Sequence, residues 1–274
     1  MSMVYSIMQG PYPIFCRGHS GGRLVCEAFI RNGIDMGHVA PDRKDTESFA
    51  ITNPLIYELI LNAYTYWEAD DEQQQYYQNL IKQCINQYIE AEIQLPDKPF
   101  GWKMGISLFT MPMVLDAFPS AKVIHLIRDG RDVMLSRLEA RFAHLSDPIN
   151  RLVVFGDANV DHFKGHPLTP ETIATYRNEL EMLHWLTAVK YGLKGRAYTG
   201  RYLEIKYEEI CQNPIPVFEQ LFDFIGVKFL ATTQAWLQQT VYHTRMAKWK
   251  TLPAEQLKKP LEIAGSLLKE LGYT

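Results

Sequence analysis

The chain has 274 residues, 47% hydrophobic and 22% charged, which is enough to fill the core of a sizeable α/β domain and too apolar for bulk disorder. A formal net charge of -3 gives no overall pull toward nucleic acid or an acidic membrane, so any anion site has to be local. The 4 cysteines, Cys16, Cys26, Cys84 and Cys211, lack C-x-x-C spacing and read as buried free thiols; with no basic leader and no membrane-length run, the expectation is a cytoplasmic chain without a membrane partner.

Ile14 to Cys16 reads as a buried strand. The loop Arg17-Gly18-His19-Ser20-Gly21-Gly22-Arg23 follows, and then a helical pattern with Leu24, Ala28 and Phe29 on one side. Strand, glycine loop and helix together present backbone N–H groups and a partial positive charge to a phosphate or sulfate. The glycines let the anion approach where a Cβ would stand. The loop lacks the G-x-x-x-x-G-K-[ST] pattern, and so lacks the Lys-Ser pair that serves magnesium-dependent NTPases. Residues 42–49 are polar and are expected to face a surface or cleft. Asn53-Pro54 starts a helix carrying Leu55, Leu59, Ala63 and Tyr66. Residues 70–78, acidic and Gln-rich, read as a solvated connector or an exposed helix end. An amphipathic helix through Leu80, Ile81, Cys84, Ile85, Tyr88 and Ile89 follows. Pro99 to Gly105 reads as a short strand with Lys103 near its end.

Lys122 to Ile127 is a β-branched and aliphatic strand, with Arg128 at its carboxyl end, a helix from about Arg131, and Ser136 in that helix's second turn. Ligands of open parallel sheets gather beyond the carboxyl ends of strands, where an arginine fork suits a phosphate. The alternative is two ion pairs, Arg128–Asp129 and Arg131–Asp132, capping the turn. Residues 144–168 read as a long loop, in which His144, His162 and His166 lie too irregularly to bind a metal. Thr169-Pro170-Glu171 opens a helix. Arg201 to Tyr207 alternates as a strand, Asn213 caps a helix with Phe218, Leu221, Phe222 and Ile225 inward, and Gly226 closes it. A basic stretch, Arg245 to Lys250, precedes a final helix with Leu261, Ala264, Leu268 and Leu271 inward. No internal repeat divides the chain, which reads as a single domain over residues 1–274.

Taken together, these segments resemble the sulfotransferases that use 3′-phosphoadenosine 5′-phosphosulfate. The likeness runs in order through the glycine loop at 13–24, Gly101-Trp102-Lys103, Lys122 to Ser136, Tyr202 to Gly226 and Trp249 to Tyr273. It implies an α/β fold: a three-layer sandwich with a central, mainly parallel sheet, a P-loop-like turn for the phosphosulfate, and additional covering helices. Two positions depart from the family's loop: His19 stands at the usual Lys or Arg, and Gly22 at a usual threonine.

The resemblance implies a metal-free transfer of a sulfuryl group from that donor to a hydroxyl or amine of a small-molecule or carbohydrate acceptor. It assigns Arg17, Gly18, His19, Ser20, Gly21, Gly22, Arg23 and Leu24 to the phosphosulfate end. Arg128, Ser136, Arg245 and Lys248 go to the 3′-phosphate, Tyr207 to the adenine side, and Lys103 and His19 to the transferred group. Asp45 is the first candidate for general base, with Glu47 and His38 as rivals. Two other readings stand beside it: an ATP-dependent small-molecule kinase, and a nucleotide-binding module impaired in catalysis by His19 and Gly22.

Overall fold

The computed structural model describes residues 10–94, 97–136, 145, 147–156, 160–241 and 246–273. In chain order the elements are β1 (Ile14–Cys16), α1 (Gly22–Arg31), α2 (Pro54–Leu61), α3 (Asp71–Glu92), α4 (Met111–Ala117), β2 (Val123–Ile127), α5 (Gly130–Met134), α6 (Pro148–Phe155), β3 (His162–Phe163), β4 (His166–Pro167), α7 (Pro170–Thr175), α8 (Arg177–Leu193), β5 (Tyr202–Lys206), α9 (Tyr207–Gln212), α10 (Pro214–Ile225), α11 (Ala231–Thr240) and α12 (Ala254–Glu270).

The central sheet is parallel, in the order β1-β2-β5, with Cys16 opposite Leu126 and Ile127 opposite Lys206. That register brings the three carboxyl ends to one edge. Side chains alternate across the sheet as the period of two requires. Ile14, Cys16, Ile124, Leu126 and Ile205 pack with Val25, Phe29, Phe218 and Phe222 on one side. Phe15 and Val123 pack on the other with residues of α2, α3, α4 and α8. A third cluster joins the end of β2, α5, α8 and α12 through Ile127, Val133, Trp185 and Leu268. Helices therefore cover both faces of a parallel sheet, as the three-layer expectation requires.

Several local expectations change. Pro99 to Gly105 forms single bridges to Asp35 and Ile14 rather than a strand, although Tyr12 and Ile14 donate backbone bonds to Phe100 and Trp102. Residues 71–78 are the first turns of the 22-residue α3, capped by Asp70, whose side chain accepts from the Gln73 amide. Part of the expected 144–168 loop is ordered as α6 and the β3–β4 ribbon; His144 lies outside the described residues. Asn213 precedes α10 without a capping side-chain bond, and Leu261 is exposed on α12. Asn53 does cap α2, accepting from the Leu55 amide at 3.0 Å. All 4 cysteines are buried and free, as expected.

Candidate active site

Three chain reversals meet at the carboxyl edge of the sheet: the loop after β1, the turn after β2, and the start of α9 immediately after β5. Gly21 caps α1 with φ of 94°, and a Cβ there would lie 2.2 Å from the Tyr207 ring. Tyr207 thus packs directly on the glycine turn, and the Arg128 guanidinium lies over the same ring at 4.8 Å from its centroid. Arg128 Nη1 donates to the His19 carbonyl at 3.1 Å, joining the β2 turn to the loop. Its Nη2 reaches Asp132 at 3.3 Å. The arginine is buried, so its charge is held with little competition from water.

The ion pairs at this turn are crossed relative to the alternative read from the sequence. Arg128 pairs with Asp132, one helical turn on, and Arg131 is held by Asp129 at 2.8 Å. Arg131 also stacks on Trp249 at 3.6 Å, which turns it away from a role as an anion ligand. Asp132 accepts from the amides of Ala247 and Trp249, so the segment before α12 is fastened to α5. Glu208 accepts from the Asp129 amide and from the Tyr273 hydroxyl, and burial raises its pKa. Ser136 lies just beyond α5, not in its second turn, and its hydroxyl donates to the Asp132 carbonyl at 3.3 Å.

Within the loop, Gly18, His19, Ser20, Gly21 and Gly22 surround the amino end of α1, where first-turn N–H groups lack intrahelical acceptors. Ser20 is buried. The Leu24 amide donates to the Gly21 carbonyl at 2.9 Å within the first turn of α1. Arg17 lies beneath the loop, where its buried guanidinium is bonded by Glu181 and reaches His184 Nδ1 at 3.2 Å, so its charge is paired there. Arg23 is exposed and donates to the Asp42 carbonyl at 3.0 Å, so it faces the 42–46 segment. Partial burial, and then the charges of Arg17, Arg128 and Lys103, hold the His19 imidazole below its ordinary pKa against an opposing effect of Glu181.

Lys103 and Asp45 come together. Lys103 Nζ lies 2.5 Å from Asp45 Oδ1 and donates to the Arg43 carbonyl at 3.0 Å. The lysine stem passes over Gly22, where a Cβ would be 3.0 Å from Lys103 Cε. A Cβ at Gly22 would also lie 2.7 Å from the buried Cys16 Sγ, and that tighter contact gives a physical reason for glycine at the position usually held by threonine. The rival bases are more open: the side chains of Glu47 and His38 are 67% and 75% exposed, against 18% for Asp45. Lys248 is exposed, and Arg245 lies outside the described residues. Among the described residues no group of three or more His, Cys, Asp or Glu is placed to hold a metal ion. A cavity of about 270 Å³ between Pro11, Phe100 and Phe118 lies at the amino end of β1, and no residue of the loop lines it.

Sequence reasoning missed Glu181, His184 and Trp249, and paired Asp132 with Arg131 rather than Arg128. Asp132 carried a signal, its i,i+4 spacing from Arg128; the partners of Arg17 carried none, being more than 160 residues away.

A profile of the sulfotransferase family matches residues 36–232. Carbohydrate sulfotransferase 3 of Mus musculus is 25% identical over 138 residues, covering 50% of this chain and 27% of its own length. Carbohydrate sulfotransferase 3 of Homo sapiens is 26% identical over 182 residues, covering 60% and 36%. The chain thus spans well under half of either relative. Among solved structures, the sulfotransferase domain from the curacin biosynthetic pathway superposes with a TM-score of 0.54 at 15% identity, covering 94% of this chain and 97% of that one. Mouse sulfotransferase SULT7A1 complexed with PAP gives 0.51 at 12% identity, covering 95% and 85%. These superpositions show the fold, and the profile match over most of the chain shows that it belongs to the sulfotransferase family.

Proposed function

We propose that this chain transfers a sulfuryl group from 3′-phosphoadenosine 5′-phosphosulfate to a hydroxyl or amine of a carbohydrate or small-molecule acceptor. The observation that carries this reading is the bond from Arg128 to the His19 carbonyl, with Tyr207 packed against both turns. A nucleotide with phosphates at two ends needs two anion sites a short distance apart, and this reading assigns one to each turn. The likeness to carbohydrate sulfotransferases favours a carbohydrate acceptor.

In this reading Ser20, Gly21, Gly22 and the start of α1 hold the phosphosulfate. Arg128 and Ser136 hold the 3′-phosphate, and Tyr207 lies on the adenine side. Lys103 donates to the group that leaves with negative charge, and Asp45 takes the acceptor's proton. Positioning and preorganised charge supply the rate, as in phosphoryl transfer. Calorimetry tests the donor directly: 3′,5′-ADP should bind, and ATP with magnesium should not compete. A preference for magnesium-ATP would overturn the reading in favour of a kinase. Sulfuryl transfer to a panel of saccharides, followed by mass shift of the acceptor, tests the acceptor class.

A further inference from the structure

The two groups given complementary tasks above are bonded to each other. A carboxylate that holds an ammonium is not free to take a proton from an acceptor. An ammonium held by a carboxylate is likewise not free to meet a leaving phosphate. We propose that Asp45 is a latch on Lys103: the incoming donor draws the ammonium off Asp45, and that release frees the carboxylate to act as base. The proposal rests on the donor site described above.

The surroundings of the pair suit such an exchange. The backbones are fastened to each other, and the lysine side chain is held at its ammonium end by two hydrogen bonds. The Thr46 amide donates to the Lys103 carbonyl at 2.8 Å, and the Lys103 amide donates to Thr46 Oγ1 at 3.1 Å. Position 103 and the residue after Asp45 therefore move as one piece. The lysine stem crosses the first residue of α1 at a glycine, which has no Cβ to keep the stem off the amino end of the helix. Rotation about its terminal bonds would carry Nζ from Asp45 across the amino end of α1, where the phosphosulfate is assigned. Two acceptors, Asp45 Oδ1 and the Arg43 carbonyl, hold Nζ on the Asp45 side. An ammonium has three N–H groups, so a third is left for the approach of a new anion. The other oxygen of Asp45 lies 3.9 Å from Arg43 Nε, and that arginine is 65% exposed, so it holds the carboxylate weakly once Lys103 has left. A multiply charged phosphosulfate competes for the ammonium on better terms than one carboxylate.

The transfer step then balances. The acceptor oxygen bonds to sulfur while the bond from sulfur to the bridging oxygen breaks, and its electron pair stays with the 5′-phosphate. The acceptor's proton passes to Asp45. Lys103 keeps its protons and donates a hydrogen bond to the bridging oxygen.

The latch makes an unusual demand: removing the carboxylate must improve one function and ruin the other. In Asp45→Asn, 3′,5′-ADP should bind about ten-fold more tightly, because Lys103 no longer has to be released. Sulfuryl transfer should fall by about a hundred-fold or more, because the base is gone. A purely structural role for Asp45 would weaken both. Unchanged or weaker 3′,5′-ADP binding in a variant that melts like the parent overturns the latch. Should Asp45→Asn fail to fold, Asp45→Ser gives the same test. In a Lys103→Met background the gain from Asp45→Asn should vanish, and a gain that persists overturns the latch. If the unmodified chain does not bind 3′,5′-ADP, the donor reading falls and the latch falls with it. If it binds and the gain is missing, the latch falls alone.

Discussion

At the scale of the residue, His19 is the informative departure. A loop that holds an anion is simplest with a permanent cation, and here a titratable ring occupies the position. Burial and three neighbouring cations keep it below its ordinary pKa, so it is largely neutral near pH 7. A bound dianion reverses that balance and favours the protonated ring. Binding of 3′,5′-ADP should therefore take up a proton and strengthen from about pH 8 to about pH 6. The phosphates also titrate near the lower limit, so the comparison is with His19→Asn. Calorimetry in two buffers of different ionisation enthalpy reads the proton uptake directly, and equal uptake in both proteins would remove His19 from the site. Arg128 makes a cleaner prediction. Its charge is buried between the loop and Tyr207, so Arg128→Ala should weaken 3′,5′-ADP by about 2–4 kcal/mol. An unchanged affinity would show that the nucleotide binds elsewhere.

At the scale of the element, the β1–α1 turn depends on Gly21 for two independent reasons: its positive φ, and the ring of Tyr207 against its Cα. Gly21→Ala adds strain of about 1–2 kcal/mol to the turn and pushes Tyr207 away from Arg128. It should lower 3′,5′-ADP affinity by more than the same change at Gly33, which also has positive φ but has open space at its Cβ. Equal losses at the two positions would mean that Tyr207 is not part of the site. This turn was readable in the sequence because its signals are local: an apolar run, glycines and a helical stripe lie within about one supersecondary unit. The same holds for β2 and Arg128. The partner of Arg17 is not legible locally, because it is Glu181 of α8, far along the chain. The helix α6 was missed although Asp147-Pro148 repeats the signal of Asn53-Pro54, and the Asp147 side chain accepts from the Ile149 amide at 2.9 Å. The surrounding His, Gly and Asp residues hid an eight-residue helix. Leu261 was placed inward by helical spacing, yet the buried stripe of α12 runs through Leu257, Ala264, Leu267 and Leu268 and leaves it outside. Periodicity finds the stripe and leaves its edges undefined.

At the scale of the whole molecule, the sheet that carries the site is narrow, and its central strand holds a polar residue in the middle of the core. His125 is fully buried, with Nδ1 2.6 Å from the Tyr202 hydroxyl and Nε2 without a hydrogen-bond partner among the described residues. Burial pushes its pKa down to about 4; the Glu204 carboxylate opposes the shift and Arg196 adds to it. The ring is therefore neutral in the folded protein, while in the unfolded chain it titrates near its ordinary 6.5. Between those values the unfolded state binds the extra proton, so stability is complete above about pH 6.5 and is lost as pH falls toward 4. At about 1.4 kcal/mol per pH unit, the loss approaches ~3 kcal/mol, a large fraction of the ~5–15 kcal/mol that holds a typical domain. Protonation would also set a charge between β2 and α8, directly behind the strand that ends in Arg128, so acid should loosen the site's scaffold before carboxylate pairs at the surface matter. Urea unfolding of the parent and of His125→Gln at about pH 7, 5 and 4 separates this contribution from the carboxylates the two proteins share. The parent should lose stability more steeply, with the curves diverging below about pH 6.5. Parallel curves would mean that the buried imidazole is paired well enough in the folded state to accept its proton there.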